Sequence, residues 1–136
     1  VSSASAQQAL KQYGVPLWNV EEYSTFSDET GALCWIRCVV DDYVNGLMTM
    51  TSSWHLIAAF YPGIAFWNQG MLKVTEPWSG HYEVLPQVWT TAHFTQFTSI
   101  GDHYLPHGNG SGKLDFGGSF VTLVDGKGGL TVVIQK

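Results

Sequence analysis

The chain has 136 residues, of which 45% are hydrophobic and 12% are charged, and its formal net charge is −5. This composition indicates a folded chain and excludes an intrinsically disordered one. The six basic residues are scattered along the sequence, which excludes a nucleic-acid partner and a polybasic membrane attachment.

The first fifty residues alternate between predicted helices and predicted strands. Helix formers fill residues 4–13, and Gly14 is typical of a helix end. An apolar run over 15–20 then predicts a strand that opens into a loop at Glu21 and Glu22. Apolar residues recur at helical spacing over 32–45, which predicts a second helix.

The second half of the chain changes from mixed to β-rich. Residues 48–54 predict a second strand, and helix–strand alternation of this kind is typical of parallel βα units. We expect a loop over 76–82 and a further helix over 86–97. After the flexible glycine-rich link 108–112, two β-branched runs joined through Asp125-Gly126-Lys127-Gly128-Gly129 predict an antiparallel hairpin. No apolar stretch is long enough to predict a transmembrane segment.

Glu21 and Glu22 are adjacent acids at the end of a predicted strand. Successive side chains of a strand point to opposite sides, so at most one of the two can face a given pocket. If the strands that end near Glu21 and Trp54 are neighbours in a βα barrel, the two residues meet at the active-site face. The alternatives are solvated loop acids and a tryptophan that only packs at a barrel rim.

Other chemical motifs have little support in the sequence. His103 and His107 are four residues apart, but nearby glycines and a proline disfavour the helix that a metal site at this spacing needs. The glycine-rich link matches neither phosphate-binding pattern, and no serine nucleophile elbow is present. Cys34 and Cys38 lie one helical turn apart, which suits a disulfide poorly. We therefore expect no metal and no cofactor.

Several blocks in order carry a resemblance to a known family. The segment Leu-Trp-Asn-Val-Glu-Glu-Tyr-Ser at 17–24, the stretch 31–54 and the block Glu-Pro-Trp-Ser-Gly-His-Tyr at 76–82 resemble the galactocerebrosidase family of glycoside hydrolases. Shorter matches continue over 88–98 and beyond, so that the similarity covers roughly residues 14–135.

The resemblance implies an α/β fold made of the last two βα units of a (β/α)8 (TIM) barrel. Residues 1–108 would form this part of the barrel, and residues 109–136 would form a linker and the first antiparallel hairpin of a β-sandwich domain. The remaining barrel and sandwich would belong to a longer protein. The start at Val1, without Met, agrees with that expectation.

The resemblance also implies an activity and its residues. Glu21 would be the catalytic nucleophile, with Ser24 and Trp54 binding the substrate. The acid/base residue would lie on an earlier barrel strand that this chain does not contain, so we expect the isolated chain to be inactive. The implied reaction is retaining hydrolysis of β-galactosides or galactolipids such as galactosylceramide, in a lysosomal or secreted enzyme. The alternative is a non-catalytic carbohydrate-binding or structural β-rich module, which would explain the aromatic residues but not the helix–strand alternation.

Overall fold

A computed structural model of the chain describes residues 3–22, 28–65, 67 and 69–136. This part of the chain is a mixture of helices and strands, as expected for an α/β protein. In chain order the elements are α1 (Ser3–Tyr13), β1 (Leu17–Glu22), α2 (Glu29–Val44), β2 (Met48–Ser53), β3 (Ile57–Ala59), β4 (Leu72–Val74), a 3-10 helix (Pro77–Ser79), β5 (Glu83–Val84), α3 (Pro86–Thr95), β6 (His103–Tyr104), β7 (Gly112–Lys113), β8 (Ser119–Val124) and β9 (Leu130–Gln135).

β1, α2 and β2 form a parallel βαβ unit. β1 and β2 pair in parallel, and α2 connects them. The helix begins at Glu29, three residues before the start that the apolar spacing predicts, because the Asp28 carboxylate caps it by accepting a hydrogen bond from the Gly31 N–H at 2.9 Å. β1 extends through Glu22, two residues beyond the apolar run 15–20, so Glu21 and Glu22 are the last residues of the strand.

Three short strands follow, which the sequence patterns did not predict. β3 and β4 pair in parallel over three residue pairs, and β5 adds to β4 in antiparallel orientation over two. Between β4 and β5 runs the segment 76–82, predicted as a loop, which contains the 3-10 helix and leaves Trp78 80% exposed.

The last sheet is built around β8. β9 pairs with β8 in antiparallel orientation through six consecutive residue pairs, while β6 and β7 pair with opposite ends of β8 on its other side. The sheet therefore joins strands from both sides of the predicted boundary at 108/109. That boundary, and the assignment of the two parts to a barrel and a sandwich, stay predictions.

One hydrophobic core packs α2 and α3 against the β8–β9 pair. α2 contributes Trp35 and Val40, α3 contributes Phe94, and the β8–β9 pair contributes Val121 and Val133. Val40 and Val121 are 0% exposed, so the core is dry at its centre. None of the helices in the described part of the chain has the length and apolar character needed to cross a bilayer.

Candidate active site

The carboxyl ends of β1 and β2 lie side by side. Because the two strands are parallel, their last residues meet at one edge of the sheet. The backbone N–H of Trp54, just past the end of β2, donates a hydrogen bond of 2.8 Å to the carbonyl oxygen of Glu22. The structure thus places the backbones of Glu22 and Trp54 side by side, with Glu21 next to Glu22 in the chain.

A β-bulge in β1 contains Glu21 and ends before Glu22. Asn19 pairs with Thr51 and Glu22 pairs with Ser53, so that two residues of β1 lie opposite one residue of β2. The burial follows this irregularity: Asn19 and Glu22 are half-buried on the α2 side, whereas Glu21 is exposed. The two acids therefore occupy different environments: the Glu21 side chain is exposed to solvent, and the Glu22 side chain is half-buried.

A polar cluster lies behind the bulge, between β1, β2 and α2. The Asn19 amide nitrogen donates to Glu22 Oε2 at 2.7 Å and to Asp42 Oδ2 at 3.0 Å. The Thr51 hydroxyl donates to the same Asp42 oxygen at 2.7 Å. Burial raises the pKa of the Asp42 carboxyl, and the hydrogen bonds from Thr51 and Asn19 oppose that rise.

No sequence pattern predicted this cluster. Asn19, Asp42 and Thr51 are far apart in the sequence and match no catalytic motif. A partial signal was Asn19, a polar residue among the apolar Leu17, Trp18 and Val20, together with Thr51 at the paired position of β2. The pairing of Asn19 with Thr51 becomes apparent only once β1 and β2 are known to be parallel neighbours.

Trp54 presents an aromatic side chain at the same edge. Its side chain is 37% exposed, and its ring packs against the ring of His55 with the centroids 4.1 Å apart. A partly exposed indole held on one side has the form of a sugar-stacking platform, and it also suits a packing residue of a larger assembly. Ser24, the third predicted site residue, lies outside the described residues.

Of the two cysteines, Cys38 does not add a nucleophile to this edge. Both are free thiols on α2, with Cys34 exposed and Cys38 half-buried. Burial, with the nearby Glu22 carboxylate and Cys34, raises the pKa of the Cys38 thiol to about 12. Cys38 is therefore protonated at neutral pH and unsuited to thiolate chemistry.

No metal site emerges from the residues that the structure describes. Within 3–22, 28–65, 67 and 69–136, no three histidine, cysteine or acidic side chains come together in a way that would hold a metal ion. His103 lies in β6, where the chain is extended rather than helical.

Residues 1–96 match the family model described as glycosyl hydrolase family 59, and the chain belongs to that family. Among curated relatives, it is 50% identical over 119 residues to the galactocerebrosidase of Danio rerio, covering 88% of this chain and 18% of that protein. It is 44% identical over 131 residues to the galactocerebrosidase of Homo sapiens, covering 96% of this chain and 18% of that protein. A putative galactocerebrosidase of Caenorhabditis elegans is 30% identical over 118 residues, covering 87% of this chain and 18% of that protein.

These similarities confirm the resemblance on which the sequence analysis relied, and they place the chain in an enzyme family of glycosidases. The chain spans less than a fifth of the length of the relatives it matches, at 18% for the Danio rerio and human proteins. The individual roles of Glu21, Ser24 and Trp54 stay predictions.

Proposed function

We propose that this chain supplies the nucleophile side of the active site of a retaining β-galactosidase that acts on galactosylceramide-like glycolipids. The observation that carries the proposal is the position of Glu21, exposed at the carboxyl end of a parallel strand whose neighbour ends one residue before Trp54. In βα barrels that end of the strands carries the catalytic groups. The relatives' name, galactocerebrosidase, supports a galactolipid as the substrate.

In the proposed reaction Glu21 attacks the anomeric carbon of the galactoside. A bond forms between a Glu21 carboxylate oxygen and that carbon while the bond to the leaving oxygen breaks, and a second carboxylic acid gives its proton to the leaving oxygen. Water then hydrolyses the glycosyl ester. Retention needs the two carboxyl groups about 5–5.5 Å apart. Glu22 lies on the opposite side of the strand from Glu21, so the acid would come from an earlier barrel strand that this chain does not contain.

Trp54 and Ser24 complete the proposed sugar site. The partly exposed Trp54 indole offers an apolar face for the C–H face of galactose. Ser24, shortly after β1, would donate or accept a hydrogen bond with a sugar hydroxyl. We place the enzyme in a lysosomal or secreted location, on the resemblance alone.

The larger architecture is part of the same proposal. β1 and β2 would be two adjacent strands of a (β/α)8 barrel within residues 1–108, and their outer edges would pair with strands from the rest of the protein. The exposed side chains of Trp18 and Val20, at 64% and 57%, would then face the barrel interior. The β8–β9 pair, within residues 109–136, would open a β-sandwich.

The deciding experiment replaces Glu21 by Gln in a full-length protein that contains this chain. We expect kcat to fall about 1,000-fold or more, equivalent to about 4 kcal/mol, while galactoside binding is kept, because the amide fills the same space but cannot attack carbon. Glu29→Gln, at the exposed first turn of α2, is the matched control. Unchanged turnover in Glu21→Gln would remove the nucleophile role. Galactoside binding without any turnover in the unsubstituted protein would favour the non-catalytic alternative.

A further inference from the structure

The bulge in β1 decides which of two adjacent glutamates faces the substrate. In an unbroken strand, Asn19 and Glu21 would share one face, because side chains alternate with a period of two. Asn19 faces α2, since its amide donates to Asp42 at 3.0 Å. Without an extra residue in β1, Glu21 would therefore also point toward the helix, and Glu22 would occupy the open face.

The observed burial shows that this alternation is reversed at the bulge. Leu17, Asn19 and Glu22 are half-buried, whereas Trp18, Val20 and Glu21 are exposed. The change occurs between Asn19 and Glu22, at the point where the register with β2 shifts. Bulges next to active sites commonly redirect a side chain in this way.

The Asn19 side-chain amide links the two residues that flank the bulge. The Asn19 nitrogen donates one hydrogen bond to Glu22, three residues further along, at 2.7 Å, and another to Asp42 of α2. Thr51 of β2 holds the same Asp42 oxygen, so the bulge is tied to both the helix and the neighbouring strand. Loss of the Asn19 amide would remove the hydrogen bond that joins the two residues flanking the bulge and the bond that ties Asn19 to α2, so the bulged segment would shift.

We propose that Asn19 is a positioning residue, whose amide holds the β1 bulge that turns Glu21, rather than Glu22, toward the galactoside. This inference rests on the proposed function, in which Glu21 is the nucleophile. Asn19 acts through the strand and does not touch the reacting atoms. Misplacement of a reacting group by about 1 Å can cost ~100-fold in rate.

The test uses 2-deoxy-2-fluoro-β-galactosyl fluoride on the full-length protein. The nucleophilic carboxylate displaces fluoride from the anomeric carbon, which forms an ester and releases the fluoride anion, and the fluorine at carbon 2 slows the second step so that the ester accumulates. Peptide mass spectrometry then identifies the labelled residue. In the unsubstituted protein we expect the label on Glu21.

Asn19→Ala should lower the maximal labelling rate of Glu21 by ~100-fold and change the dissociation constant of the reagent by less than about threefold. A general loss of structure would weaken binding as well, so the split between rate and affinity isolates positioning. Glu22→Gln keeps the shape of the acceptor and removes its charge, and we expect about a tenfold slower labelling because charge-assisted hydrogen bonds are about twice as strong as neutral ones. This second, isosteric variant carries the test if Asn19→Ala does not fold.

Asn45→Ala is the matched control. The Asn45 amide also donates to an aspartate, Asp41 Oδ1 at 2.8 Å, but does so at the exposed end of α2. We expect it to be labelled at the unsubstituted rate. Labelling of Glu21 at that rate in folded Asn19→Ala and in Glu22→Gln would overturn the positioning role and leave the proposed function intact. A label on a residue other than Glu21 in the unsubstituted protein would instead contradict the proposed function itself.

Discussion

The β1–β2 pair and the β8–β9 pair are built in opposite ways. β8 and β9 keep an unbroken antiparallel register over six residue pairs, whereas the register of β1 against β2 shifts twice. β8 buries Val121 completely against α2, whereas β1 leaves Trp18 64% exposed. The regular pair supplies packing, and the irregular pair presents polar and aromatic groups at one edge.

The comparison indicates where stability and chemistry reside in this chain. Regular pairing and dry burial reinforce each other, so the α2–β8–β9 core needs no special side-chain chemistry. The β1 bulge breaks the local rule of alternation and depends on Asn19, Asp42 and Thr51 to hold it. Proteins typically depart from local regularity at functional sites.

The largest expected effect concerns the isolated 136-residue chain, which we predict to have no measurable galactosidase turnover. Glu21 would lack the acid that protonates the leaving group, and the open edges of β1 and β2 would lack their partners. The measurement is hydrolysis of a chromogenic β-galactoside by the purified chain, with the full-length protein as the positive control. A rate above the buffer blank would show that this chain holds a complete catalytic pair.

Substitution of a core aromatic residue should show that the hydrophobic core formed by α2, α3 and the β8–β9 pair carries the stability. Phe94 is 6% exposed and packs 5.6 Å, centroid to centroid, from the Tyr43 ring. We expect Phe94→Ala to lower the free energy of opening α2 by about 3–5 kcal/mol, since a large cavity remains in the core. Amide hydrogen exchange of α2 in the full-length protein measures this quantity. Phe116→Ala, at a 91% exposed phenylalanine, is the control and should change it by less than about 0.5 kcal/mol.

A smaller effect is expected from one partly buried hydrogen bond between α2 and α3. The Trp35 indole N–H donates to the Thr91 hydroxyl at 2.8 Å, and Trp35 is 4% exposed. Thr91→Val keeps the volume but leaves the indole N–H without this acceptor, so we expect a loss of about 1–3 kcal/mol in the same exchange measurement.

Thr95→Val is the matched control for that prediction. Both threonine hydroxyls donate to the carbonyl four residues earlier in α3, but Thr95 is exposed. The difference between the two variants therefore isolates the bond to Trp35. Equal losses in the two variants would mean that the helix-internal bonds, and not the tertiary one, account for the effect.

The elements with a strong local sequence pattern were predictable, and those defined by pairing with distant residues were not. The βα order at the start and the strands β8 and β9 follow from local patterns, namely helical spacing in α2 and β-branched runs around a glycine-rich turn. The strands from β3 to β7 were not predicted because each has only two or three residues and is defined by its partner rather than by its own composition. The end of β1 was placed too early because pairing with β2 carries the strand through Glu22.

The candidate site was predictable only in part. The resemblance to a known family directed attention to Glu21 and Trp54, and the parallel pairing places them at one edge. The role of Asn19 was not predictable, because the bulge depends on Asp42, which lies 23 residues away in the sequence. Local alternation alone would have put Glu21 on the same face as Asn19, whereas the structure leaves Glu21 exposed.

The smallest expected effect is a pH dependence of stability at Asp42. Burial raises the pKa of this carboxyl above its usual 3.8, so the folded protein holds the Asp42 proton more tightly than the unfolded protein does. Stability from this group is therefore fully present below pH 3.8 and is lost as the pH rises through the higher folded value. Because Asp42 is only half-buried, water screens the effect. Asp42→Asn should remove it, so that urea unfolding at pH 4 and pH 7 shows the variant gaining stability relative to the unsubstituted protein as the pH rises. Parallel changes in the two proteins, or a relative loss in the variant, would contradict the assignment of this titration to Asp42.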